Sequence, residues 1–140
     1  MSAFLHQASC VTIGDRAVLI EGPPSSGKST LTLALMDRGA TLIGDDGVTL
    51  DQRGERLFAS PPPNTPGLLE VRNVGLLRFR TASNVPVALV IVLDEAAPRF
   101  TEAAEGGERG GVPLPLIKLW PSEYPPARKV ELALERYGLV

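Results

Sequence analysis

The segment Gly22-Pro23-Pro24-Ser25-Ser26-Gly27-Lys28-Ser29 fits the pattern G-x-x-x-x-G-K-[ST] residue for residue, and its flanks restrict the fold around it. Residues 16–21 (RAVLIE) form a short apolar run that reads as a buried strand. Residues 29–38 (STLTLALMDR) read as a helix that stops at Gly39. A strand leading through a glycine-bounded loop into a helix is the setting in which this pattern cradles phosphate. Backbone N–H groups and the positive end of the helix attract phosphate oxygens. Lys28 is placed to reach the outer phosphates, and the Ser29 hydroxyl to take a position on Mg²⁺. Pro23 and Pro24 have no N–H to offer, so the cradle rests on Ser25, Ser26, Gly27, Lys28, Ser29 and Thr30.

The rest of the chain reads as one domain over residues 1–140, without an internal repeat or a linker. Residues 40–44 (ATLIG) are expected to lie beside the first strand, closing a β-loop-α-β unit. Residues 47–51 and 56–59 read as a hairpin, and 60–67 (SPPPNTPG) as a stiff exposed loop. Short strands follow at 68–71 and 74–79. The most apolar strand, 86–93 (PVALVIVL), belongs at the centre of the sheet. Residues 102–111 (EAAEGGERGG) read as a mobile loop, 114–119 as a strand and 127–137 (ARKVELALERY) as a second helix. Leu31, Leu35, Leu89, Ile91 and Trp120 read as packing residues. The expectation is an α/β protein with a mixed sheet, hairpins after the β-loop-α-β unit and few helices. A net charge of −2 gives no bulk attraction for nucleic acid or an anionic membrane. A lone cysteine, Cys10, excludes an internal disulfide and suits a reducing cytoplasm. No apolar run approaches the ~20 residues that span a bilayer, and the N-terminus lacks the features of a secretory signal.

Three further groups carry candidate chemistry. Asp45-Asp46 ends the second strand of the unit, where strand C-termini face a ligand. One carboxylate can ligate metal and the other can take a proton from an incoming hydroxyl. Asp45-Asp46-Gly47 equally suits a plain turn. Glu70 and Arg72 share a face if both lie on a strand, where they could address metal and phosphate, or form a solvated edge pair. His6 is the sole histidine, and its place near the terminus also suits a surface or capping role.

Taken in order, the loop, then Arg38-Gly39-Ala40-Thr41-Leu42-Ile43-Gly44-Asp45-Asp46, then Leu69-Glu70-Val71-Arg72-Asn73-Val74-Gly75-Leu76-Leu77 resemble the catalytic domain of HPr kinase/phosphorylase. That family carries an R-G-x-x-L-[IV]-x-D-D segment and an E-[VI]-R-G-x-G-[IL]-[IL] signature. The resemblance runs from about His6 to the second helix and points to a short form without the N-terminal domain of longer members. It implies a P-loop kinase fold related to that of phosphoenolpyruvate carboxykinase. It also implies an enzyme using ATP and Mg²⁺ to phosphorylate a serine of HPr, a phosphocarrier of the sugar phosphotransferase system. Many members also run the reverse phosphorolysis with phosphate, releasing pyrophosphate, and active members are oligomers, which points to a homo-oligomer here.

By the same resemblance His6 is similar to an active-site histidine, Lys28 to the loop lysine, and Ser29 and Glu70 to magnesium ligands. Asp46 is similar to the base of the forward reaction. The family's catalytic arginine follows the central strand, where Arg99 is the nearest candidate and Arg109 the next. Two departures stand out: Ser25 and Asn73 replace family glycines. Two other readings remain open from the residues, a kinase for another acceptor and a nucleotide-sensing module without transfer activity.

Overall fold

A computed structural model describes residues 3–140. Eleven strands and two helices follow one another in the order β1 (Ala3–His6), β2 (Ser9–Ile13), β3 (Arg16–Glu21), α1 (Lys28–Asp37), β4 (Thr41–Gly44), β5 (Val48–Arg53), β6 (Arg56–Ser60), β7 (Leu68–Val71), β8 (Gly75–Arg78), β9 (Val85–Leu93), β10 (Glu105–Arg109), β11 (Val112–Leu119) and α2 (Ala127–Tyr137). The architecture is α/β with a mixed sheet, as the sequence led us to expect.

The long apolar strand is the hub. β9 pairs in parallel with β3 on one side; on the other it meets β6 antiparallel near its start and β11 in parallel near its end. Both its faces are buried, which explains its nearly continuous apolar composition. Leu89, Ile91 and Leu93 join Val18 and Ile20 of β3 in a core covered by Leu31 and Leu35 of α1 and by Val130 and Leu134 of α2. Val87 and Val90, with Ala17 and Leu19, face a second core that also holds Leu50, Leu57 and Leu114. Period-two alternation along β3 thus divides one strand between two cores.

The order across the sheet, β1-β5-β6-β9-β3-β2-β4, corrects one expectation. β4 does not lie beside β3. β2 is inserted between them, antiparallel to both. Its mixed SCVTI sequence gives a weak strand signal, yet Ser9, Cys10, Val11 and Thr12 are all buried there. Because β2 is antiparallel to each neighbour, β3 and β4 run parallel, so their C-terminal ends reach the same edge.

Two more expectations change. The supposed mobile loop at 102–111 contains β10, which pairs with β11 in a hairpin. Its tip reaches β1: a Cβ added at Gly110 (φ 55°) would come within 2.6 Å of the Phe4 ring. Trp120 is not core; it is 47% exposed, with its indole N–H donating to the Ala97 carbonyl at 2.6 Å. Leu31, Leu35, Leu89 and Ile91 are buried as expected. Among the described residues no helix is long and apolar enough to cross a membrane.

Candidate active site at the phosphate loop

The loop joins β3 to α1 and approaches β9 closely. Gly22, at φ 156°, has no room for a side chain: a Cβ there would sit 2.7 Å from the Ser26 hydroxyl and 3.0 Å from the Leu93 carbonyl. Ser25 takes the left-handed conformation, φ 62°, as does Asn73 at φ 72°. Both positions hold glycine in the family pattern, so each departure keeps a backbone shape that glycine adopts more freely. Gly27 caps α1 at φ 100° with no side-chain cap, and the first turn carries no acidic residue. The initial N–H groups of α1 therefore remain available to an anion.

Five side chains complete this flank. Lys28 lies over the loop, its ammonium donating to the Gly22 carbonyl at 2.8 Å and the Pro23 carbonyl at 3.4 Å. Ser29 donates to Asp45 Oδ1 at 2.8 Å, and Ser9 donates to the same oxygen at 3.0 Å. Asp45 arrives there because β4, parallel to β3 across the intervening β2, ends at the same edge of the sheet. The Ser26 hydroxyl is buried and has no hydrogen-bond partner, the one such side-chain atom among the described residues. An orphaned buried hydroxyl inside a glycine-bounded loop, beside an uncapped helix start, fits a phosphate group. The Ser29–Asp45 oxygen pair fits Mg²⁺, which takes one or two protein oxygens and completes its shell from phosphate and water. Among the described residues no three of His, Cys, Asp and Glu converge to hold a metal alone, in keeping with that division. A cleft of about 510 Å³ continues from the loop between Pro23, Pro24, Val92, Asp94, Glu95 and Pro121.

Glu21, the last residue of β3, organises the other flank. Arg109 grips its carboxylate with both ends of a fork, Nε to Oε2 at 2.9 Å and Nη2 to Oε1 at 2.7 Å. His6 Nε2 lies 2.8 Å from Oε2. Burial pushes the Glu21 carboxyl up, but hydrogen bonds from Arg109 and His6 outweigh it and hold it below the usual carboxylate range. Its hydrogen bonds to Glu21 in turn hold the Arg109 guanidinium more firmly in its charged form.

The candidate residues thus divide. Ser29 and Asp45 meet directly, Lys28 stays on the loop carbonyls of Gly22 and Pro23, and His6 meets Arg109 through Glu21. Asp46 is exposed in the turn after β4, at φ 60°. Glu70 is exposed on β7, a strand that packs against α1. Arg72 does not share a strand face with Glu70; it lies in the β7–β8 turn, because the strand ends at Val71. Arg99 lines a separate groove of about 280 Å³ with Trp120, Lys129 and Arg136 against α2, and no loop residue borders that groove. Ser9 and Glu21 were missed by the sequence reading. Glu21 carried one signal, a charged residue closing an apolar strand directly before the loop.

The HPr Serine kinase C-terminal domain family matches residues 2–88. An HPr kinase/phosphorylase from Exiguobacterium sp. is 31% identical over 116 residues, covering 77% of this chain and 36% of the relative. One from Nitrosomonas europaea is 45% identical over 65 residues, 46% of this chain and 20% of the relative. The chain therefore spans little more than a third, or less, of the curated relatives it matches. The solved structure of the Hpr(Ser) kinase/phosphatase from Coxiella burnetii superposes with a TM-score of 0.77 at 28% identity, covering 94% of this chain and 86% of that one. With its loop, its paired aspartates and this shared architecture in order, the chain belongs to the HPr Serine kinase C-terminal domain family.

Proposed function

We propose that residues 1–140 form a single catalytic domain of P-loop kinase fold, related to phosphoenolpyruvate carboxykinase, that uses ATP and Mg²⁺ to phosphorylate a serine of an HPr-type phosphocarrier in the cytoplasm. The observation that carries this reading is the Ser29–Asp45 contact of 2.8 Å beside an uncapped helix start. When bound, ATP would supply the phosphoryl group and Mg²⁺ the positive charge that offsets the phosphate oxygens. The loop N–H groups, the Ser26 hydroxyl and Lys28 would hold the phosphate chain, and Ser29, Asp45 and Glu70 would hold the cation. Arg72 binds phosphate from the neighbouring turn. Asp46, exposed in the turn after β4, accepts the proton of the incoming serine hydroxyl, and the same group returns it in phosphorolysis. Of the two arginines considered, Arg109 takes the catalytic place, since Glu21 ties it to the residue before Gly22, whereas Arg99 faces the α2 groove. His6 lies on that same carboxylate.

The test is incubation of the protein with ATP, Mg²⁺ and HPr of the same organism, followed by intact mass. A gain of roughly 80 daltons that vanishes in Asp46→Asn supports the reading. Nucleotide binding without transfer to HPr or to any other acceptor protein overturns it and leaves a sensing module.

A further inference from the structure

We propose that Glu21 is a positioning residue, whose carboxylate holds the Arg109 guanidinium and the His6 ring at the mouth of the phosphate loop so that Arg109 addresses the terminal phosphoryl group. This rests on the kinase reading and extends it to a residue outside the family's recognised motifs. Three elements far apart in sequence meet at this one side chain: β1 through His6, β3 through Glu21 itself and β10 through Arg109. Arg109 spends Nε and one N–H of Nη2 on the carboxylate and one N–H of Nη1 on the Glu108 carbonyl at 2.8 Å. One N–H on each terminal nitrogen stays uncommitted, the pair a phosphoryl oxygen accepts. A carboxylate only accepts, so His6 donates through Nε2, which fixes Nδ1 as the ring nitrogen left for other contacts.

Structural need alone does not explain the arrangement. The side chains of Glu21, Arg109 and His6 are only 17%, 20% and 23% exposed, so charge here has lost much of its water. An apolar contact would dock the β10–β11 tip without that desolvation, as Gly110 against Phe4 already does. What an apolar contact cannot do is aim a guanidinium.

The experiment measures equilibrium binding of Mg-ATP and Mg-ADP to the wild type, Glu21→Gln, Arg109→Ala and the double variant. Wild type is expected to favour Mg-ATP, because only the terminal phosphoryl engages Arg109. Glu21→Gln reduces that preference about tenfold with Mg-ADP affinity unchanged, and adds nothing in the Arg109→Ala background. In the transfer assay Glu21→Gln lowers kcat and leaves KM for HPr unchanged. Glu21→Asp, which retracts the carboxylate by one methylene, gives the same comparison if Glu21→Gln does not fold. Full wild-type preference in a folded Glu21 variant overturns the inference and leaves a purely structural ion pair. Equal binding of both nucleotides by wild type overturns it too, with the phosphate loop intact. Wild type binding neither nucleotide overturns the phosphate-loop reading itself, and this inference with it.

Discussion

Two acids flank the phosphate loop, and they are held in opposite ways. Asp45 accepts from two hydroxyls, Ser9 and Ser29, and forms no ion pair among the described residues. Glu21 is gripped by a guanidinium and an imidazole. Hydroxyls orient a carboxylate without cancelling its charge, so Asp45 remains attractive to a cation. A bidentate arginine cancels the charge it orients, so Glu21 is committed to holding its partners. The difference suits Asp45 to a ligand's role and Glu21 to a scaffold's, although both side chains are acids within reach of the same loop.

The comparison breaks first at Asp45. Asp45→Ala should reduce Mg²⁺-dependent transfer at least about 100-fold while leaving the melting temperature near wild type, a loss that excess Mg²⁺ partly recovers. An unchanged rate would make Asp45 a turn residue. Next is the hairpin tip. Gly110→Ala drives a methyl into Phe4 at a left-handed position, at a cost of about 2–3 kcal/mol. Denaturant melts should report that cost, and transfer should fall with it, because Arg109 moves while Asp45 does not.

The pH dependence of Glu21 comes third. Its folded-state pKa lies below the unfolded value, so its stabilisation is complete above the ordinary carboxylate range and is lost as pH falls through the lowered value. Glu21→Gln should therefore lie about 1–2 kcal/mol below wild type near neutral pH, with the gap closing in acid. Urea titrations across that range check it; a gap that widens in acid reverses the sign and rejects the assignment. The smallest effect belongs to Ser25→Gly, which exchanges left-handed strain for chain entropy and should change stability by less than about 1 kcal/mol. Calorimetric melting measures it directly.

The phosphate-loop flank was largely legible in the chain because its parts are local. Gly22 to Thr30 is continuous, and Asp45 follows one helix and one strand later. What the string left open was the partner of β3. A β-loop-α-β unit places β4 beside β3, but the buried Ser9–Thr12 segment of β2 occupies that place and also supplies a second hydroxyl to Asp45. Ser9 and Thr12 interrupt the apolar pattern, so the strand signal was weak even though the backbone is paired on both sides. The Glu21 flank was nearly illegible. His6 and Arg109 are separated by 103 positions, and the segment around Arg109 has the glycine-rich composition of a loop.

Local rules set the loop, the helix after it, the doubly buried β9 and the second helix, because each depends on spacing within one run of residues. Only the folded sheet decided which acid stands free and which is paired. That outcome depends on strand order and on a hairpin folding across to β1, and both are fixed by burial between segments remote in sequence.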